Sequence, residues 1–495
     1  MNEIRPTSHI LKATGIIGAA SLINIAVGLI RTKIVAVALG AAGVGRVGIL
    51  ISLMNTASAT AAWGISNTSA QLLAAASTNE DLATARRAVF SAALVLGLLG
   101  TFIVYVARFQ LARLLFKDQA AAEMIGWTSL GTGLSVIVLA QNGFLTGLKR
   151  VGDLARVSAA TAIVSTVLTV PIVLVLRQRA ILPYVLLGPV AAAAVGAYFV
   201  ARVDKPRTAP RLRSLVGSWR RMTSLGTALT VASLAVLCGQ LAIRVLVQRA
   251  LGLQAVGLFQ ASFAISVNYV GLALGALSTD FYPRLVPHID DPSTLKRMIN
   301  GQALVSLMLA APLIVLAIGL GPWLIALLYA PSFRPAAEML RWQMLGDVMK
   351  IAGWPLSFVL LASGRATVFA LNEAATMAIG VGVSALLLPR FGIAGAGFAY
   401  LAMYASYLIS LSWLVRRHIG SVWEVRTVRC WSLLAFSSIA VLGAAAFSDL
   451  AGIIVSLLAA VAMAALALRQ LHEGLPARLR DILAKLSSWS VGRRT

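Results

Sequence analysis

Apolar residues in this chain come in long runs, and polar turns of only a few residues separate them. Four runs, 157–176, 222–243, 391–415 and 431–448, contain no charged residue at all. About 20 apolar residues make a helix long enough to cross a bilayer. Lipid offers no water to backbone N–H and C=O groups, so such runs must satisfy those groups internally, as helices. The pattern predicts an all-α polytopic membrane protein with about 14 transmembrane helices. They are expected at 10–38, 45–76, 88–108, 120–147, 152–176, 181–201, 222–249, 255–285, 295–320, 334–362, 366–389, 393–415, 429–447 and 450–468.

Composition agrees. The chain is 59% hydrophobic and 12% charged, against about 25% charged residues in a soluble domain, and its mean hydropathy is +0.87. A net charge of +25 raises the question of nucleic acid. The basic residues are not gathered on a soluble domain, however, so no nucleic-acid partner is expected. They alternate between basic-rich and basic-poor turns. Arg86 and Arg87, Lys149 and Arg150, a stretch at 202–221, Arg365, Arg416 and Arg417, and the C-terminal tail fall on one side. That is the positive-inside pattern, and it places both termini in the cytoplasm. The run at 10–39 is too long for a signal peptide and lacks a small-residue cleavage site, so none is expected. After residue 471, Leu475, Leu479, Ile482, Leu483, Leu486 and Trp489 recur at helical spacing among Arg478, Arg480 and Lys485. This predicts a basic amphipathic helix on the inner leaflet.

The chain also repeats itself. Leu39-Gly40-Ala41-Ala42-Gly43-Val44-Gly45 matches Leu251-Gly252-Leu253-Gln254-Ala255-Val256-Gly257, 212 positions later. Basic residues precede both turns. The repeat predicts two lobes of six helices each, 1–201 and 222–417, joined by a basic cytoplasmic linker at 202–221. Two further helices at 418–470 and the amphipathic tail at 471–495 follow. Repeats of this kind build transporters with a site between the halves near the bilayer midplane.

Charges inside the apolar runs are the candidate functional residues, because each costs about 2.5–3.5 kcal/mol at the centre of a spanning helix. Arg31 lies nine residues before Gly40, roughly 13 Å at 1.5 Å per residue, and shares a helix face with Asn24 and Gly28. Arg244 lies at similar depth before its own turn. Arg31, Lys33, Arg244 and Lys350 are expected to make a cationic, substrate-binding cavity, since Arg matches phosphate oxygens with two parallel N–H donors. Asp347, Glu373 and Arg341 are expected to be ion-coupling or structural charges; Arg341 can pair with Glu338 and Asp347 with Lys350, each three residues apart. Asn24, Asn268 and Gln343 are expected to line the cavity. The pairs Gly143/Gly147 and Gly271/Gly275 have the spacing that lets membrane helices approach closely. Cys238 and Cys430 lie in apolar runs and imply no disulfide. Gly43-Val44-Gly45-Arg46-Val47-Gly48 spells a dinucleotide fingerprint, but a membrane helix precedes it where a strand is needed. Nothing suggests a metal or a resident cofactor, and there is no sizeable outer loop to carry an enzyme's catalytic groups.

One stretch carries a family resemblance. Phe333-Arg334-Pro335, followed by Leu340-Arg341-Trp342-Gln343-Met344-Leu345-Gly346-Asp347-Val348-Met349-Lys350, resembles the Wzx-type O-antigen or lipid III flippases. The resemblance continues through Ala362-Ser363-Gly364-Arg365, Leu371-Asn372-Glu373-Ala374 and the stretch 392–407, and reappears at Val256-Gly257-Leu258-Phe259-Gln260 and Tyr282-Pro283-Arg284-Leu285. It implies the transporter fold of the MOP superfamily, with two six-helix lobes. It implies a bacterial inner-membrane flippase for an oligosaccharide on undecaprenyl diphosphate, such as an O-antigen, enterobacterial common antigen or exopolysaccharide unit, working by alternating access. A polysaccharide polymerase and chain-length regulator are the implied partners besides membrane lipid. The two extra helices resemble those of MurJ-type lipid II flippases, where such a pair forms a groove for the lipid tail. The alternatives are therefore a lipid II flippase and a MATE-like exporter of small molecules. A proton or sodium ion on Glu373 or Asp347 is the expected coupling device.

Overall fold

The structure, a computed structural model, describes residues 5–203 and 227–474. Most of the basic linker and the amphipathic tail lie outside the described residues. Within them every regular element is a helix: α1 Arg5–Ala62, α2 Ile65–Ala74, α3 Asn79–Val106, α4 Arg108–Phe116, α5 Ala121–Gly147, α6 Val151–Leu176, α7 Ile181–Ala201, α8 Thr227–Leu251, α9 Leu253–Leu285, α10 Pro292–Gly319, α11 Gly321–Leu328, α12 Ala336–Ala362, α13 Ala366–Phe391, α14 Ile393–Ile419, α15 Val425–Phe447 and α16 Asp449–Gly474.

Among the described residues, ten stretches are long and apolar enough to cross a membrane. Three of them each hold two of the expected helices. Ile23–Ala62 bends at Gly40, where φ is 65°. Val151–Ala201 is broken by the 3-10 turn Arg177–Ala180, and Ala366–Ile419 by Gly392 at φ 58°. With these divided, and α9 added, each expected helix has its counterpart. The protein is therefore an all-α, multi-pass membrane protein.

The differences lie at helix ends. The helix expected at 45–76 is cut at Trp63 and Gly64, both with positive φ, which separates α2 from α1. The one expected from Ala88 begins nine residues earlier, because Thr78 and Asp81 form a reciprocal capping box at its start. The short helices α4 and α11 continue beyond the expected ends of their neighbours.

The chain folds as two compact units. One comprises the described residues of Met1–Ser262, Ile325–Ala336 and Ala366–Ala399. Here α1 packs along α6, α5 lies against α2, α3 and α7, and α8 lies along α13. Its core gathers Ile65, Val89, Val136, Phe144 and Leu145. Small residues set the spacing, because helices in lipid associate mainly by close packing. Gly143 and Gly147 rest on the backbone of α2 at Ser66 and Ala70. Gly271 and Gly275, the other such pair, meet no described atom within 4 Å of an added Cβ. In the second unit, which holds the described residues of Phe263–Leu324, Ala337–Arg365 and Tyr400–Thr495, α10 packs on α15 and α16. Gly319 sits against Gly452 and Ser456. Gly346 and Gly353, one heptad apart on α12, receive Tyr400 and Tyr407, one heptad apart on α14.

Candidate functional site

The face of α1 that carries Asn24 and Arg31 lies against α6. Asn24 Nδ2 donates to Ser158 Oγ at 2.9 Å, and Arg31 Nη1 donates to Ser165 Oγ at 3.2 Å. Seven residues separate both the donors and the acceptors, so the two helices run parallel and share a polar ladder. Arg31 is part-buried and its Nε is buried with no hydrogen-bond partner. Among the described residues its charge meets a hydroxyl and no carboxylate.

Lys33, two residues on, points elsewhere. Its Nζ donates to the carbonyls of Ala326 and Leu327 at 3.0 and 2.7 Å. These belong to the last turn of α11, whose terminal carbonyls have no partners within their own helix. A cation there is also favoured by the helix dipole.

Arg244 on α8 is 5% exposed. Its Nε donates to Gln260 Oε1 at 3.2 Å and its Nη1 to the Gln240 carbonyl at 2.9 Å, with the guanidinium 5.5 Å from the Phe259 ring centre. Both arginines lie within segments apolar enough to span the membrane.

The second unit carries a different constellation. Asp347 on α12 has no exposed surface. It accepts from Ser266 Oγ of α9 at 2.6 Å and from the Tyr400 hydroxyl of α14 at 2.8 Å. Ser266 and Tyr400 are themselves 3.1 Å apart. Lys350 Nζ stands 4.0 Å from the carboxylate and 5.1 Å from the centre of the Tyr404 ring. Asp347 therefore joins three helices through hydroxyl donors, with Lys350 at the margin of ion-pair distance. Gln343 is fully buried one turn earlier.

Arg341 pairs with Asp449 in the first turn of α16 at 3.4 Å, and its Nε donates to the Ile318 carbonyl at 3.2 Å. Glu338, the partner that the spacing suggested, is exposed. Glu373 is part-buried on α13, beside the buried Asn372. The side chain of Asn268 lies outside the described residues. Sequence reasoning missed Ser266, Tyr400, Tyr404 and Gln260. Tyr400 and Tyr407 have a legible signal in their heptad match to Gly346 and Gly353; serines and glutamines within apolar runs carry none.

Residues 34–338 match the family described as "Polysaccharide biosynthesis protein". The lipid III flippase of Escherichia coli (strain K12) is 24% identical over 421 residues, which cover 79% of this chain and 94% of that protein. Among solved structures, the lipid II flippase MurJ in an inward closed conformation aligns with a TM-score of 0.71 at 11% identity, covering 92% of this chain and 99% of MurJ. An inward-facing multidrug resistance MATE family transporter of the MOP superfamily aligns with a TM-score of 0.67 at 14% identity, covering 81% and 98%. At such identities the two structures speak for the fold alone, a helical fold that this chain shares with both. The family match spans well over half of the sequence, so this multi-pass helical chain belongs to the polysaccharide biosynthesis protein family.

Proposed function

We propose that this protein is a transporter, not an enzyme, and that it carries an oligosaccharide linked to undecaprenyl diphosphate from the cytoplasmic to the outer leaflet of a bacterial inner membrane. The lipid III flippase relative, aligned over nearly its whole length, supports a lipid-linked sugar as cargo. The observation that carries the reading is Arg31: a cation in a spanning segment whose partner is a serine hydroxyl, with no described carboxylate to neutralise it. An apolar cargo gives no reason to keep such a charge at its desolvation cost; a diphosphate does.

The physics of the step is a desolvation problem. Each sugar hydroxyl taken into hydrocarbon without a partner costs about 1–3 kcal/mol, and a diphosphate adds charge. A polar path exposed alternately to the two sides removes that cost, while the polyprenyl chain stays in lipid. Arg31 and Arg244 would hold the diphosphate. An inside-negative potential favours outward movement of an anion by about 2.3 kcal/mol per charge per 100 mV. The unloaded site must then return with its arginines unneutralised, and a proton or sodium ion taken up outside on Glu373 or Asp347 and released inside would couple that step to an ion gradient.

The test is transport of fluorescent undecaprenyl-diphosphate oligosaccharide in proteoliposomes, comparing the native chain with Arg31→Ala. Transport by the native chain, lost in a folded Arg31→Ala protein, is expected. Full transport by the variant would reduce Arg31 to a rung of the helix ladder. A folded native chain that moves none of several glycans but exports small organic cations would replace the reading with a MATE-like one.

A further inference from the structure

A crevice of about 830 Å3 opens where α3 ends and α5 begins, roofed by α4. Its walls change character along its length. Leu98 and Phe102, exposed apolar side chains on α3, line one end. Tyr105, Arg108, Glu123 and Trp127 line the other. Arg108 is tightly placed: its guanidinium lies 4.1 Å from the Tyr105 ring centre and 4.5 Å from that of Phe109, and its Nη1 donates to the Tyr105 carbonyl at 2.9 Å. A side chain at Gly126 would press on Arg108 Cδ at 3.3 Å, so the glycine makes room for it. The Nε–Nη2 edge of Arg108 makes no hydrogen bond among the described residues, and that edge presents two parallel donors to a phosphate.

Glu123 shares the crevice and stands within the first turn of α5. It makes neither a hydrogen bond nor an ion pair among the described residues, and Arg108 lies beyond ion-pair distance. One cation and one anion thus face the same cavity without neutralising each other, with apolar walls leading away from them. Aromatic residues alone are what any membrane-interface belt shows. The separated pair of opposite charges is what that belt does not explain.

We propose that this crevice binds an aminophospholipid of the phosphatidylethanolamine type. Arg108 takes the phosphate, Glu123 accepts hydrogen bonds from the primary ammonium, and an acyl chain runs along Phe102 and Leu98. Charge complementarity selects the headgroup. Phosphatidylglycerol offers Glu123 only neutral hydroxyl donors, with a net negative charge beside it and no ammonium to balance the carboxylate. A choline headgroup carries the right charge but has no N–H to donate. On the topology read from the basic turns, the site faces the outer leaflet.

Native mass spectrometry of the full chain tests this with equal amounts of phosphatidylethanolamine, phosphatidylcholine and phosphatidylglycerol of the same chain length. The native protein is expected to retain phosphatidylethanolamine over phosphatidylcholine by roughly tenfold, the worth of one charge-assisted hydrogen bond. Glu123→Gln should abolish that preference while leaving phosphatidylglycerol retention unchanged or raised. Arg108→Gln should weaken retention of all three, and Glu338→Gln, on an exposed site elsewhere, should change nothing. Equal retention of the three lipids by the native protein would overturn the proposal without any variant having to fold. A preference that persists in Glu123→Gln would overturn it too.

Discussion

Gly45 and Gly257 occupy the same place in the two copies of the repeat, and each leaves room for the other's turn. A Cβ on Gly45 would collide with the Leu253 carbonyl, and one on Gly257 with the Ala41 carbonyl. Ala41 and Leu253 are themselves 212 positions apart. Three residues further along, a Cβ on Gly48 would stand 3.1 Å from Gln260 Oε1, again its equivalent. In each case the positions that touch are the ones the sequence repeat matches. The turns that lead into this contact are alike as well: Gly40 and Gly252 both hold positive φ, at 65° and 86°, a backbone region glycine enters without steric cost.

Alanine at either glycine should therefore destabilise the protein, and by similar amounts. Forcing a methyl group into packed backbone typically costs about 1–3 kcal/mol. Thermal unfolding in detergent should show Gly45→Ala and Gly257→Ala both lowered. Gly271→Ala, where an added Cβ meets no described atom within 4 Å, should change stability by no more than about 0.5 kcal/mol. If Gly257→Ala melts with the native chain, the two turns do not approach as described.

Arg341 should be worth more to stability than the acid it pairs with. Asp449 keeps 66% of its side chain exposed, and an ion pair so placed contributes about 0–1 kcal/mol. The bond from Arg341 Nε to the Ile318 carbonyl instead satisfies one of the last carbonyls of α10, which no helix can satisfy by itself. Asp449→Asn is expected to cost less than about 1 kcal/mol, Arg341→Ala more, and Glu338→Gln nothing measurable. A double-mutant cycle between Arg341 and Asp449 gives the coupling directly.

Much of this architecture is legible in the sequence, because lipid imposes one length and one backbone conformation on every crossing. The helices at 152–176, 181–201 and 366–389 were legible to within a few residues. Ends set by capping chemistry were not: the apolar pattern begins near Ala88, but Thr78 and Asp81 start α3 earlier. Partners of the membrane-depth charges were hidden for a different reason. Helical spacing suggests a neighbour three or four residues away, as for Glu338 and Arg341, whereas the pairing acid comes from α16, more than a hundred residues on. Lys33 shows the same limit. Its depth is plain from the sequence, but its engagement with the α11 carbonyls depends on a helix almost 300 positions later.

Asp291 gives a pH dependence with a definite sign. It caps α10, accepting from the backbone N–H groups of Ser293 and Thr294. Hydrogen bonding from Thr294, by side chain and backbone, and from the Ser293 side chain holds its carboxyl well below the usual carboxylate range. The unfolded chain, with an ordinary value of about 3.9, takes up the proton first as pH falls, so the cap's contribution is complete above that value and drains away below it. Asp291→Ala should lower the melting temperature by a constant amount at neutral pH. The gap should narrow as pH drops below about 4. A gap that stays constant down to pH 2 would mean the cap does not act through its charge.

Asp347 offers the sharpest contrast between members of one network. It is fully buried, and hydroxyls of Ser266 and Tyr400 donate to it at 2.6 and 2.8 Å. Tyr400→Phe removes one donor but leaves the carboxylate its bond from Ser266 and its neighbour Lys350, so the cost should stay near about 1 kcal/mol, within what interhelical hydrogen bonds in membranes are worth. Asp347→Leu removes the acceptor that joins α9, α12 and α14 and takes away the carboxylate 4.0 Å from Lys350, which is only 20% exposed. Breaking a buried pair from one side typically costs about 3–5 kcal/mol. Replacing both partners together, Asp347→Leu with Lys350→Met, leaves no lone charge and should recover part of that loss. Unfolding of the four proteins in the same detergent decides the matter. If the double variant is no more stable than Asp347→Leu alone, then at 4.0 Å Lys350 does not depend on Asp347, and the network is held by its hydroxyls.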